Sequence, residues 1–208
     1  EQEAATYATI PGYTLRVGDV KYKDLNEDGV IDQFDATALG RTGPLFYYGL
    51  SAGFSLKGFE FNFLIQGVQN RDIYVDNLVM DAGFQGQNNG YGQAYEQIQN
   101  RWTPETAGTS AVVYPALNAG GNGYNYNPLY LSSSLFVHNG NYLRLKNVGI
   151  AYNLPAAWTQ RMKLGSVKIF VNALNLWTWA AYDQVDPEIS LPNYPMQRVI
   201  NTGINIKL

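Results

Sequence analysis

A chain of 208 residues with a net charge of −3 gives no electrostatic reason to expect nucleic acid or an anionic membrane surface as a partner. Cysteine is absent, which excludes disulfides and thiolate metal sites. Charged residues make up only 15%, against a usual value of about 25%, while Tyr alone fills 16 positions; this balance suits a protein whose surface does not all face water.

No run reaches the roughly 18 apolar residues of a membrane-spanning helix. The mean hydropathy of −0.23 reads as water-soluble, but barrel strands alternate and also average low. The chain opens with "EQEAATYATIPGY", which has neither a basic start nor an apolar stretch. The expectation is a signal peptide already removed, or a start inside a longer protein.

The first motif is "DLNEDGVIDQFD", residues 24–35. Asp24, Asn26 and Asp28 hold loop positions 1, 3 and 5. Gly29 is at position 6, where a sharp turn needs positive φ. Val30 at 7 offers its carbonyl, Asp32 is at 9, and Asp35 is at 12 in place of the usual Glu. This is an EF-hand-like ligand set, and crowded carboxylates favour a hard divalent cation, Ca²⁺ ahead of Mg²⁺. Ile31 at position 8 is apolar and is expected to anchor the loop. The bland alternative is an acidic turn whose Asp and Asn side chains cap backbone amides. "YTLRVGDVKYK" before the loop reads as extended, and "DATALG" after it allows at most one helical turn. The loop is therefore expected to be a structural staple and not a regulatory EF-hand.

From residue 47 the apolar period is two. Strands are expected at 47–56, 59–69, 141–154, 166–177 and 199–208, with Lys57-Gly58 as a two-residue hairpin turn. Each carries one greasy face and one small or polar face. Parity breaks near Lys146-Asn147, where a bulge or a crossing from loop into membrane is expected. Trp177 and Trp179 close their strand where an interfacial aromatic girdle would lie. The connections alternate in length: 57–58 is short, 69–140 very long, 155–165 modest and 178–198 long. That is a barrel layout more than a soluble one. It places 57–58 and 155–165 on one side and the acidic loop, 69–140 and 178–198 on the other. A soluble β-sandwich also alternates, so periodicity by itself leaves both open.

The long connection is rich in Asn, Gly, Gln and Tyr. "YGQAYEQIQNRW" allows a short helix with Tyr95, Ile98 and Trp102 on one face, and exposed aromatics there could stack on sugar rings or grip a peptide. Catalysis is poorly supported: His138 is the only histidine and reads as a loop residue, and no G-x-S-x-G motif is present. Asp183, Asp186 and Glu188 could supply a carboxylate pair, but a loop fixes no distance between them. The chain does not read as an enzyme.

The motifs "GDVKYKDLNEDGVID", "DATALGRTGPLFYYGLSAGFSLKGFEFNFLIQGVQNRDIY", "NRWTPETAGT", "NGNYLRLKNVGIAYNLP", "FVNALNLWTWAAYDQVDPEIS" and "YPMQRVINTGINIKL" follow in order. Together they resemble the C-terminal part of SusC/RagA-type TonB-linked outer-membrane transporters of the Bacteroidetes. The resemblance implies an all-β, antiparallel transmembrane β-barrel fragment: about five C-terminal strands of a 22-stranded barrel, with long extracellular loops. Residues 1–46 would form an extracellular loop with the metal motif at 24–35, and 47–208 the strands. It further implies import of glycans or peptides across the bacterial outer membrane with a SusD-type surface lipoprotein, driven through the TonB complex. The plug and TonB box of that family lie outside these residues, and Leu208 stands where many outer-membrane barrels end on Phe or Trp. The competing expectation is a secreted, calcium-stabilised β-sandwich that binds carbohydrate. Such a module must bury one strand face in its own core.

Overall fold

A computed structural model describes residue 3 and residues 6–75, 99–116, 124, 133–189 and 194–208. It divides into two compact units, Glu1–Leu39 with Tyr74–Val137, and Gly40–Ile73 with His138–Leu208.

The second unit is built on a five-stranded antiparallel sheet. Its strands are β1 (Phe46–Leu56), β2 (Phe59–Gln69), β5 (Tyr142–Asn153), β6 (Ser166–Ala180) and β7 (Val199–Lys207), in the spatial order β1-β2-β5-β6-β7. These match the five expected strands, with β6 running three residues further. Two short strands, β3 (Asp72–Tyr74) and β4 (Val137–Asn139), pair separately. His138, expected in a loop, is therefore in a strand, and its ring stacks on Tyr182 with centroids 4.1 Å apart.

Lys57 and Gly58 join β1 to β2 with φ of 50° and 87°. Positive φ at both residues is the mirror-image turn whose twist matches the flanking strands. Gly58 has a second constraint, because a Cβ there would lie 2.8 Å from the Asn153 carbonyl oxygen. The short helix α1 (Ala156–Arg161) sits in the β5–β6 connection, at the same sheet end as the 57–58 turn. The long connections leave from the opposite end, as the spacing had implied.

Register sorts the side chains into two faces. One face carries Leu50, Ala52, Phe54 and Leu56 of β1, opposite Ile65, Phe63, Phe61 and Phe59 of β2. It continues through Val148, Ile150 and Tyr152 of β5 and Ala173, Val171 and Ile169 of β6. Ile200, Thr202, Ile204 and Ile206 of β7 complete it. The other face is small and polar. One of its rungs reads Gly53, Asn62, Gly149, Asn172, Asn201 across all five strands. Gly149 leaves room there for two amide side chains: a Cβ would lie 2.7 Å from that of Asn62 and 2.9 Å from that of Asn172, and both would have to shift.

The expected irregularity near Lys146 is a bulge. β5 shifts register between Leu145 and Asn147 against both neighbours, which leaves Lys146 over. At the same level β6 leaves Asn175 and Leu176 over between Leu174 and Trp177, with Asn175 at φ 50°. An extra residue swaps the faces of everything beyond it. Parity read from sequence is muddled in β5 for this reason, and it stays regular in β6 because two residues are inserted there.

Among its described residues the first unit has little regular structure. Its core is Ile10, Ile31 and Tyr124, with Ala8, Tyr13, Leu15 and Tyr22 packed against them. Phe136 gathers Val20, Tyr22, Tyr114 and Leu135 in a second cluster.

Candidate functional site

The acidic loop is a tight, self-bonded turn. The Asp24 carboxylate accepts the amides of Glu27 and Gly29 at 2.7 and 2.8 Å. Asn26 accepts Asp28 N–H and donates its amide to the Asp28 carboxylate, which also takes Val30 N–H. Asp35 accepts Leu25 N–H and Asp32 N–H at 2.7 and 2.8 Å. Those two backbone amides hold the Asp35 carboxyl below its usual range. Gly29 has φ 84°, as position 6 requires. A 3₁₀ turn at Gln33–Asp35 closes the loop itself, capped by Asp32, which accepts Phe34 N–H, and residues 36–40 that follow form no helix. Ile31 anchors the loop: it is 2% exposed, and its amide donates to the Thr9 carbonyl in a parallel bridge.

All six expected ligand residues thus lie on one turn, five of them with oxygen-bearing side chains and Val30 with its carbonyl. Their side-chain oxygens are engaged by backbone amides. Among the described residues no three His, Cys, Asp or Glu side chains are gathered into a metal-holding group. The donor chemistry fits a hard cation, but the carboxylates would have to draw together to hold one.

A second constellation lies on the polar face of the sheet, beside the bulge. Arg144 of β5 is 3% exposed and sits in the rung of Gln66 and Thr178. Its guanidinium donates to Thr178 Oγ1 at 2.8 Å and to Asp186 Oδ1 at 2.8 Å. Lys146 reaches Glu188 at 2.5 Å, and Arg144 Nη1 lies 3.4 Å from the same carboxylate oxygen. Arg71, just past β2, donates to the Pro187 carbonyl at 2.6 Å. Burial alone would raise the Asp186 carboxyl. The amides of Glu188 and Met196 and the Arg144 guanidinium outweigh it and leave the group below its usual range.

Sequence reasoning had weighed Asp186 and Glu188 as a carboxylate pair without seeing their partners. The available signal was Arg144 and Lys146, two cations two residues apart in one strand. Asp183 stays exposed and does not join them. Of the loop aromatics, Tyr124 is buried in the first unit's core and Trp102 packs on Gly18, so neither is a free stacking platform. Tyr95 and Ile98, like Phe84, Tyr91, Tyr126 and Tyr130, lie outside the described residues.

The apolar face is uncovered. Leu50, Phe54, Phe59, Ile204 and Ile206 are each 55–61% exposed. Tyr48 on β1 and the Trp177–Trp179 pair on β6 lie on this face towards the long-connection end, the two indoles 5.8 Å apart. Phe59 and Tyr152 pair at the short-turn end, with ring centroids 4.5 Å apart. A water-soluble sandwich would have covered such a face. Among the described residues no helix is long and apolar enough to cross a membrane, a statement about helices only.

Comparison with known proteins agrees with the sheet. No family model matches the chain. It is 32% identical over 208 aligned residues to TonB-dependent receptor P26 of Formosa agariphila, covering 91% of this chain. It is 26% identical over 191 residues to TonB-dependent receptor SusC of Bacteroides thetaiotaomicron, covering 89% of this chain. Over about nine tenths of its length the chain is similar to TonB-dependent receptors, SusC among them. It spans about a fifth of the length of these curated relatives, 20% of the first and 17% of the second. Two solved structures share its fold. One, titled as the RagAB peptide transporter, covers 80% of this chain with a TM-score of 0.61 and 22% identity. The other, titled as the RagAB peptide importer in an open-open state, covers 81% at 0.58 and 23%. The all-β antiparallel architecture of this chain is the one those structures contain.

Proposed function

We propose that this chain forms part of the wall of an outer-membrane TonB-dependent importer, with its apolar face towards lipid and its polar face towards the lumen. The observation that carries the reading is the two-faced sheet. One face is continuous, apolar, uncovered and rimmed by aromatic rings at both ends. The other is lined with Gly, Asn, Ser and paired charges. Bilayer strands need about 9–11 residues at a tilt, and β1 and β2 have 11 each. The family supplies the remaining parts of the reading: a 22-stranded barrel, a SusD-type surface lipoprotein as partner, TonB-linked energy, and a glycan or peptide as cargo. The peptide transporter named among the similar structures supports peptides as one cargo class.

On this reading the short-turn end of the sheet faces the periplasm and the acidic loop is extracellular. The loop takes Ca²⁺, or Mg²⁺ more weakly, through Asp24, Asn26, Asp28, the Val30 carbonyl, Asp32 and Asp35. The cation would relieve repulsion among four carboxylates and brace the turn already anchored by Ile31.

Two experiments test these parts separately. Cysteines at Arg161 and Asp183, in the otherwise cysteine-free segment, can be probed in intact cells with a membrane-impermeant thiol reagent. Labelling should reach Asp183→Cys and spare Arg161→Cys; the opposite pattern would overturn the sidedness. Titration calorimetry with calcium on the full-length protein should show a site that Asp24→Ala combined with Asp28→Ala abolishes. If heat and stoichiometry persist in that variant, the loop is not the site.

A further inference from the structure

We propose that residues 182–189 form a charge-held latch on the polar face of the sheet. Arg144 and Lys146 are its catch, and Asp186 and Glu188 are the two groups that engage it. Two cations of β5 and one just past β2 grip three successive residues: Arg144 on Asp186, Arg71 on the Pro187 carbonyl, and Lys146 with Arg144 on Glu188. The segment covers the deepest-buried part of that face, where Val68, Tyr142 and Arg144 are 1–6% exposed.

The two bulges build this catch. The extra residue at Lys146 brings a second cation beside Arg144, and the matching insertion in β6 frees Asn175 to donate to the Gln197 carbonyl at 3.0 Å. Asp186 closes the local fold by accepting the amides of Glu188 and Met196, both at 2.9 Å. The same carboxylate thus shapes the latch and fastens it. Besides the Tyr182 ring stacked on His138, the attachment is made of ionic contacts and hydrogen bonds, which are removable one charge at a time. Arg144 Nη1 is buried too, and among the described residues it meets the Glu188 carboxylate at 3.4 Å without a hydrogen bond. An attachment of this kind is lost sharply when one charge goes, since the remaining charges are then buried unpaired.

The inference rests on the barrel-wall reading only for its consequence, that the latch would project into the passage. The latch itself can be tested without transport. A spin label at Gln184→Cys in the full-length protein in detergent micelles reports segment motion, and the unboiled gel band reports that the barrel is folded. Arg144→Met, which removes charge but keeps bulk, should shorten the label's rotational correlation time at least about threefold. Asp186→Asn with Glu188→Gln removes the same contacts from the loop side and leaves the strand untouched. It should give the same mobilisation even if Arg144→Met fails to fold. Unchanged label motion in a folded Asp186→Asn/Glu188→Gln protein would overturn the proposal, and so would a label already fully mobile in the parent.

Discussion

Ala52 offers a direct test of which solvent the apolar face meets. It lies one residue beyond the middle of β1, an 11-residue strand, and points to the same face as Phe63, its partner on β2. Eleven residues at about 3.4 Å each, tilted about 45°, rise about 26 Å, or about 2.4 Å per residue. Ala52 would then lie within about 3 Å of the bilayer midplane, where an Arg costs about 2–4 kcal/mol. That corresponds to a folded-to-unfolded ratio lower by about thirtyfold to several hundredfold. Ala52→Leu at the same position should be neutral or mildly stabilising. Ser51→Arg, one residue away on the polar face, should cost under about 1 kcal/mol. The assay is urea unfolding of the full-length protein in phospholipid vesicles, followed by tryptophan emission and the unboiled gel band. A tolerated Ala52→Arg would mean that this face meets water, and the barrel-wall reading would fail with it.

Three further outcomes are expected. Ile31→Ala removes a buried side chain packed on Ile10 and Tyr124. It should cost about 2–4 kcal/mol locally, read as lost exchange protection of the Ile31 amide. Gly58→Val places a branched side chain at φ 87° and 2.8 Å from the Asn153 carbonyl. It should destabilise the hairpin by at least about 1–2 kcal/mol and slow insertion into vesicles, and normal kinetics would contradict the turn geometry. The Asp35 carboxyl is held below its ordinary value of 3.8 by the Asp32 and Leu25 amides. Its contribution is complete above that value and fades as pH falls through the lower one in the fold. Amide exchange at residues 25 and 32 in Asp35→Asn should therefore exceed the parent's at about pH 7, and the difference should shrink as pH falls below 3.8.

The sheet was legible because its signal is local. Alternation in "YYGLSAGFSL" and "FEFNFLIQGVQ" states both the strand and its two faces, and Lys57-Gly58 between them fixes the hairpin register. The ion cluster was not legible in the same way. Arg144 and Asp186 are 42 residues apart, and only the inserted Lys146 and the return of the chain after Ala180 bring them together. Sequence displayed the charges and even the broken parity, but not that the two belong to one construction. The acidic loop falls between these cases. Its spacing gave the turn, the positive φ at Gly29 and the anchoring by Ile31, all of which depend on near neighbours. Whether its carboxylates close on a cation depends on the ion itself.

The paired bulges also have a consequence for assembly. A sheet whose strands simply alternate is nearly degenerate: sliding one strand by two residues restores every side chain to its proper face, at little cost beyond the ends. Aromatic and aliphatic residues on the outer face of this chain are similar enough to tolerate such a slip. The inserted residue at Lys146 and the two at Asn175 and Leu176 remove that freedom, because they are accommodated side by side only when Leu145 is opposite Trp177. They act as a key and a keyway cut into otherwise interchangeable strands. Deleting one half of the pair should therefore shift β6 against β5 as a unit and carry β7 with it, so that a change within one strand would alter where the end of the chain comes to rest.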